Sequence, residues 1–314
     1  MNLHHNEEIF EELIQLTAKH YNLPSNAVRK DYFITRILSH LQNSPYVNQV
    51  VFKGGTSLSK CYPGSIERFS EDIDLTYIPE DDMSNKQVSK QLKAIERVLV
   101  GSGNVEKIGA ERNDRNKSSY VWFTDEHKEI ERIKLEIGSS VRPHPYSIRQ
   151  LQSYIQDFLE HMDESEAIEE FQLEKLRINV LSIERTFVDK ILSIKRHAMC
   201  GTLHEKVRHI YDVVKLSEMK EVKSFLEDKE NLKNNIQITK QTDAIYLEKR
   251  NTAKGYNPED DYDFITWKVK LSNDIKASYE DLHNTLLYTN QKQDWSKVER
   301  VFAHINQTLL EIGE

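Results

Sequence analysis

Asp72 and Asp74 flank a single apolar residue in the run Asp72-Ile73-Asp74-Leu75-Thr76-Tyr77-Ile78, which alternates polar and apolar side chains. On a half-exposed strand the side chains alternate with period two, so the two carboxylates share a face and converge on one point. Such a pair suits magnesium, which takes hard oxygen ligands and keeps waters and substrate phosphates as its remaining ligands. Upstream, Lys53-Gly54-Gly55-Thr56-Ser57 ends a short β-branched and aromatic run, 47–52. A glycine turn lets backbone N–H groups approach phosphate oxygens, and the positive end of a following helix favours their charge. The two features together suit nucleotidyl transfer from a triphosphate. With two metal ions, one activates the attacking hydroxyl and the other steadies the leaving pyrophosphate. A third carboxylate completes such a set, and Glu136, within Ile133-Lys134-Leu135-Glu136-Ile137, is placed to supply it. Each part alone is common on ordinary surfaces, whereas the joint order of strand, glycine turn, Asp-x-Asp and later Glu is much more specific.

These residues need elements to position them. Pro24-Ser25 starts a helix in which Val28, Phe33, Ile37, Leu38 and Leu41 recur at helical spacing. The strand at 47–52 runs into Gly54-Gly55, Thr56 to Lys60 begin a short helix, and Pro63-Gly64 breaks it. A polar helix is expected over 84–100, closed by Gly101-Ser102-Gly103-Asn104, and antiparallel strands at 120–124 and 132–137. From residue 148 onward the pattern is mostly helical, with helices predicted at 147–159, 184–196, 203–216 and 295–310, and one strand-like piece at 176–180. Residues 239–263, polar and carrying Gly255 and Pro258, are expected to be irregular. The expected fold class is α+β: a core over 1–145 with N-terminal helices and a mixed sheet, then a mostly helical domain over 146–314.

Of the 314 residues, 38% are hydrophobic and 30% charged, so the chain is globular with a heavily charged surface. No apolar run approaches the roughly 18 residues that span a bilayer. The start is acidic and polar where a secretory signal is basic and then apolar. The expected location is cytoplasmic, away from any membrane, and Cys61 and Cys200 fit a reducing compartment. A net charge of −8 argues against a coat of phosphate-binding residues. One local stretch is basic: Lys190, Lys195, Arg196, Lys206, Arg208 and Lys215 stand against only Glu205 and Asp212, with His197, His204 and His209 among them. That stretch is the expected contact for a polyanion. The soluble, acidic composition favours a monomer.

The run Phe52-Lys53-Gly54-Gly55-Thr56-Ser57-Leu58-Ser59-Lys60, followed by Arg68-Phe69-Ser70-Glu71-Asp72-Ile73-Asp74-Leu75, resembles the signature of the AbiEii/AbiGii nucleotidyltransferase toxins of bacterial abortive-infection and toxin–antitoxin systems. Arg29-Lys30-Asp31-Tyr32, Arg185-Thr186-Phe187-Val188-Asp189-Lys190 and Arg208-His209-Ile210-Tyr211-Asp212 are similar to further family features, so the likeness runs over 25–217. One departure is a longer spacing between Gly55 and Asp72, which places an extra turn at 62–68. The resemblance implies a DNA polymerase beta-like nucleotidyltransferase domain, Mg2+ as cofactor with two ions, NTP as substrate, and RNA, at the tRNA acceptor end, as acceptor. It implies a separate antitoxin chain and a role in phage defence. By position it implies Gly55 and Ser57 as the triphosphate loop and Lys190 as a nucleotide-phosphate contact; Lys53, Gly54, Thr56, Arg68 and Ser70 complete the nucleotide-binding candidates. Asp72 and Asp74 become metal ligands and catalytic residues beside the metal ligand Glu136, Lys190 a catalytic phosphate contact, and Asp212 a second essential acid.

On the helix carrying Lys190, Phe187, Val188, Ile191, Leu192 and Ile194 form the buried face and Lys190 lies at its edge. On the next, Leu203, Val207, Ile210, Tyr211 and Val214 face inward, leaving Arg208 and Asp212 either as an exposed i,i+4 pair or with Asp212 orienting Lys190. His197, Cys200, His204 and His209 fit no common zinc template, and their plainer reading is His and Lys facing nucleic acid. Ser70 precedes Asp72 by two, so a phosphate there would compete with the carboxylates for their cation. Three functions compete: an NMP transferase acting on RNA, a nucleotidyltransferase for a small molecule or protein hydroxyl, and a nucleotide-binding regulator without turnover. Retention of Asp72, Asp74, Glu136 and Lys190 together argues against the third.

Overall fold

The computed structural model describes residues 2–250, 256–289 and 293–314. The chain forms two compact units, the first made of Met1–Cys61, Phe69–Ser139 and Tyr146–Val180, the second of Tyr62–Arg68, Ser140–Pro145 and Leu181–Glu314.

In the first unit, α1 (Glu7–Tyr21) and α2 (Ser25–Gln42) precede β1 (Val50–Lys53), α3 (Gly54–Cys61) and β2 (Ile73–Tyr77). Then come α4 (Asn85–Val100), β3 (Asn104–Lys107), β4 (Asn116–Trp122), α5 (Lys128–Glu131), β5 (Ile133–Gly138), β6 (Tyr146–Leu151), α6 (Tyr154–His161), α7 (Ser165–Glu170) and β7 (Leu176–Leu181). Among the described residues the strands form one seven-stranded sheet in the order β3-β4-β5-β2-β1-β7-β6. It is mixed: β1 pairs antiparallel with β2 and parallel with β7, β2 pairs parallel with β5, and β5 pairs antiparallel with β4, as the strand expectations required. The α+β class therefore holds.

The central strands alternate as their sequence demands. In β5 the buried side chains are Ile133, Leu135 and Ile137, while Lys134 and Glu136 stay half-buried on the other face. Ile73 and Leu75 of β2 lie in register with Leu135 and Ile137, so one continuous apolar face forms, covered by α2 and α4. Each of these side chains contributes about 1.5–3 kcal/mol on burial. α4 starts where it should because Ser84 and Gln87 form a reciprocal capping box, and it ends at Gly101.

Two expectations need correction. Residues 147–159 are not one helix: β6 occupies Tyr146–Leu151, and α6 starts only after Ser153, whose hydroxyl accepts from Gln156 N–H. Nor are residues 239–263 irregular throughout, because α11 (Lys229–Arg250) extends well into them; the part at 251–255 lies outside the described residues.

The second unit is helical: α8 (Ile183–Met199), α9 (Val207–Leu216), α10 (Lys220–Glu227), α11, α12 (Phe264–Trp267), α13 (Asn273–Thr285) and α14 (Trp295–Glu311). Ser182 caps α8 by accepting from Arg185 N–H, and the packing of α8 on α9 buries Phe187, Ile191, Ile194, Ile210 and Val214 completely. Segment 62–68 belongs here through several bonds. Tyr62 hydroxyl donates to Leu181 O at 2.9 Å, Tyr288 N–H donates to Glu67 O at 3.2 Å, and Arg68 bridges to Leu287. Among the described residues no helix is long and apolar enough to cross a membrane.

Candidate active site

The glycine turn and the acidic strand meet directly in the first unit. β1 ends at Lys53 and α3 begins at Gly54, whose φ is +82°. Only glycine adopts that angle without strain. A Cβ at this position would stand 3.1 Å from Asp74 Cγ and 3.2 Å from Asp74 Cβ, and closer still to Oδ2. The backbone thus lies against the Asp74 carboxylate in a space that any side chain would fill, with the α3 N-terminus opening beside it.

Register extends the site across the sheet. Lys53 opposes Asp74 on β2, and Asp74 lies level with Glu136 on β5. Cross-strand partners share a face, so Lys53, Asp74 and Glu136 form a row on the face opposite the apolar one. Asp72 is exposed and precedes β2 by one residue, so it is held by the loop rather than by the strand's own alternation. That loop is fixed: Thr56 hydroxyl donates to Asp72 O at 2.5 Å and lies 3.0 Å from Ser70 Oγ. Ser70 likewise lies before the strand. Ser57 hydroxyl donates to Gly54 O at 2.9 Å, so it stabilises the turn from within while the backbone supplies the N–H groups.

Glu136 has an internal partner. Lys134 Nζ lies 2.5 Å from Glu136 Oε1 and 2.9 Å from Glu111 Oε2. Burial opposes the charge on Lys134, yet the bonds to Glu111 and Glu136 hold its pKa above the usual lysine value. Among the described residues no group of three or more His, Cys, Asp or Glu side chains is gathered closely enough to hold a metal ion. The donor chemistry still fits a hard divalent cation, which needs only two or three protein carboxylates beside waters and phosphate. Of the three carboxylates expected from sequence, Asp72, Asp74 and Glu136, the last is paired with Lys134.

Residues given no role from sequence brace this region. Asp31 pairs with Lys60 and accepts from Tyr154 N–H at 2.8 Å, tying α2 to α3 and to the start of α6. Lys30 pairs with Glu71, immediately before Asp72, and Arg29 pairs with Glu11 and Glu131. The signal for them was the charged run 29–31 within an otherwise amphipathic helix.

In the second unit Lys190 and Asp212 come together. Asp212 is fully buried and takes bidentate bonds from Arg68, Nε to Oδ1 at 2.7 Å and Nη2 to Oδ2 at 2.6 Å, while Lys190 Nζ donates to Oδ2 at 2.7 Å. Burial opposes ionisation of Asp212, but the charges of Arg68 and Lys190 outweigh it and hold the carboxyl well below its usual range. Arg208 is exposed, so the alternative of an exposed Arg208–Asp212 pair is excluded by the burial of Asp212. Burial, then the Lys190 charge, push the His209 pKa well below the usual histidine value.

The basic stretch is not an exposed stripe. Lys190 and Lys195 are buried, and Lys195 donates to the carbonyls of Asp260 and Asp261. Arg196 pairs with Asp243 at 3.2 Å and Lys215 with Glu67. His197 bonds Thr202 Oγ1 at 2.8 Å and His204 is exposed, so His197, Cys200, His204 and His209 serve different surroundings.

A glycine-opened helix N-terminus beside strand-borne carboxylates is the equipment of an enzyme that handles a metal-bound phosphate chain. Residues 36–298 match the family model of the nucleotidyl transferase AbiEii toxin of type IV toxin–antitoxin systems, and the chain belongs to that family. It is a nucleotidyltransferase and a toxin of a type IV system, and its antitoxin is a separate chain. Enzymes of this family generally use an NTP and a divalent metal. No curated protein matches the sequence. Among solved structures, the chain is similar to MenT4, a nucleotidyltransferase toxin from Mycobacterium tuberculosis H37Rv, with 15% identity and a TM-score of 0.48 over 95% of this chain and 98% of that one. It is also similar to JHP933 from Helicobacter pylori, with 18% identity and a TM-score of 0.40 over 83% of this chain and 95% of that one.

Proposed function

We propose that this toxin transfers a nucleoside monophosphate from an NTP to the 3′ acceptor end of tRNA in the cytoplasm, blocking translation, with Mg2+ as its metal. The carrying observation is Gly54 at φ +82° against the Asp74 carboxylate, which brings a helix N-terminus and a carboxylate to one place. Asp72 and Asp74 hold the metal, with Glu136 as the third carboxylate. When bound, the cation supplies charge stabilisation for the transferring phosphoryl group and lowers the pKa of the attacking hydroxyl. The α3 N-terminus, from Gly54 and Gly55 through Thr56, offers backbone N–H groups to the triphosphate. Ser57 holds the turn in shape, and Lys53 adds a positive charge in the same cross-strand row. Likeness to the family assigns Lys190 a phosphate-binding role.

Abortive-infection family membership supports an RNA acceptor and a role in phage defence. The charge layout favours a second reading, a small-molecule or protein hydroxyl as acceptor, because Lys190, Lys195, Arg196 and Lys215 are engaged within their own unit. The test is to incubate the full-length protein and Asp72→Ala with total bacterial RNA, Mg2+ and each labelled NTP in turn. Label entering a discrete tRNA band with wild type only supports the first reading and names the nucleotide. NTP turnover without labelled RNA moves the assignment to the second, and no turnover with any NTP removes both.

A further inference from the structure

The exposed positive charge that the 190–215 stretch does not offer stands in the first unit, on α4. Lys86, Lys90, Lys93 and Arg97 fall at i, i+4, i+7 and i+11, so they lie within about 60° of one another round the helix and along roughly 16 Å of its length. All four are exposed, and among the described residues none of their side chains has a hydrogen bond or an ion pair. The chain as a whole carries a net charge of −8, so the row runs against its average.

Such a row works against the helix that bears it. Successive members are like charges one turn apart, and Lys86 stands in the first turn, at the positive end of the helix dipole. The packing of α4 does not require it, since Val88, Leu92, Ile95 and Leu99 bury completely on the other side. The acid within α4, Glu96, is buried and held by Arg112 and Ser119. Glu80, Asp81 and Asp82, in the turn before the helix, form no ion pair with the row among the described residues. The neighbouring strands add charge of the same sign. Arg115 donates from Nε and Nη2 to the neutral Asn85 Oδ1, at 3.0 and 2.6 Å, at the start of the helix. Lys107, exposed on the edge strand β3, lies opposite Ser119, which bonds Glu96, so it shares the face towards α4.

The composition of this surface selects its partner. No large apolar side chain of α4 is exposed, and lysine is depleted at the core of protein interfaces. A phosphate backbone needs point charges on long stems and no apolar centre. We propose that this face of α4, with Lys107 and Arg115 beside it, is a docking surface for the phosphate backbone of RNA. It deepens the RNA-acceptor reading above and rests on it for the choice of RNA. α4 covers the apolar face of the sheet, while Lys53, Asp74 and Glu136 line the opposite one. The row therefore meets the body of a folded RNA, away from the end that is extended.

The test measures binding of labelled bacterial tRNA to the full-length protein, without NTP, between about 50 and 200 mM KCl. One variant combines Lys86→Gln, Lys90→Gln, Lys93→Gln and Arg97→Gln, glutamine being a good helix former. The control combines Lys220→Gln, Lys223→Gln, Lys268→Gln and Lys270→Gln, which removes the same charge from exposed lysines of the second unit. In the α4 variant Kd should rise about tenfold or more at about 100 mM KCl, and the slope of log K against log salt should flatten by about 3, because each phosphate contact contributes about 0.7–0.9. The control should stay within about twofold of wild type. Should the fourfold variant not fold, Lys90→Gln with Lys93→Gln replaces it, with a flattening of about 1.5. Equal losses in variant and control would show that net charge alone counts, and would overturn the inference. An unchanged affinity and slope in the α4 variant, or no tRNA binding by wild type at the lowest salt, would overturn it as well. If the α4 variant keeps tRNA but loses poly-L-glutamate, the row belongs to an acidic protein and the inference fails. Nucleotide transfer is read separately. RNA bound through α4 but labelled with no NTP leaves the inference standing and removes the RNA-acceptor reading; label entering RNA while the α4 variant binds it as wild type does the reverse.

Discussion

Gly54→Ala separates the two things Gly54 does. An alanine at φ +82° carries the left-handed penalty of about 1–2 kcal/mol, which at about 2–4 °C per kcal/mol lowers Tm by roughly 2–8 °C. Its Cβ would also press on Asp74, 3.1 Å from Cγ and closer to Oδ2. The carboxylate is the end of a flexible side chain, so it swings aside at little cost in stability. The chemistry suffers more, since a misplacement of about 1 Å costs roughly a hundredfold in rate. Gly64→Ala is the matched control: φ is +76°, and a Cβ there meets nothing within 4 Å. Both variants should melt several degrees below wild type. Only Gly54→Ala should lose about a hundredfold or more in kcat/KM for NTP transfer, measured with labelled NTP and total RNA. Equal melting losses with full activity in both would refute the idea that the missing Cβ protects the Asp74 carboxylate.

Further expectations follow from the same site and its surroundings. Lys134→Met removes the cation paired with Glu136 and should lower the Mg2+ concentration for half-maximal activity by about fivefold, corresponding to roughly 1 kcal/mol; an unchanged Mg2+ titration would show that Glu136 is no ligand. Ser70→Glu places a negative charge beside the Asp72 loop and should reduce transfer about tenfold or more at fixed Mg2+, so full activity counts against Ser70 as a modification switch. Burial, followed by neighbouring positive charge, holds His4 and His197 at about 4, below the free value of 6.5. Protonation therefore favours the unfolded chain, so the stability from these groups is complete above pH 6.5 and is lost as pH falls towards 4. The depressed Asp212 carboxyl acts in the same direction below about pH 4. The unfolding free energy from urea melts should fall between pH 7 and 5, by about 1 kcal/mol per histidine after allowing for solvent screening; a value equal or higher at pH 5 would contradict this.

Much of the frame was readable because its signals are local. The alternation in 73–77 and 133–137 and the β-branched run before Gly54 each require only a few neighbouring residues, and each became a central strand. β6 was unreadable for a physical reason. It is an edge strand with Leu151 as its buried residue, so it has no period-two pattern, while Ile148, Leu151, Ile155, Phe158 and Leu159 happen to fall at helical intervals. Charge was the other blind spot. A run of lysines and arginines gives no sign of which are buried, because their partners lie far along the chain: Asp212 for Arg68, Asp243 for Arg196, Glu67 for Lys215. For the same reason the brace formed by Lys30, Asp31 and Lys60 carried only a motif likeness and no role.

The two short visits that the chain pays to the second unit, at 62–68 and 140–145, bear on the making of the protein. No single cut yields both units as continuous polypeptides, and a fragment ending near residue 180 would carry Arg68 without Asp212 and the 140–145 loop without Arg185, whose guanidinium donates to His144 O at 2.8 Å. During synthesis, Arg68 leaves the ribosome 144 residues before its partner. At about 5–20 residues per second the interval is roughly 7–30 s. Over that interval the segment just upstream of Asp72 lacks the contacts that hold it, so the toxin stays unfinished until most of its chain has been made.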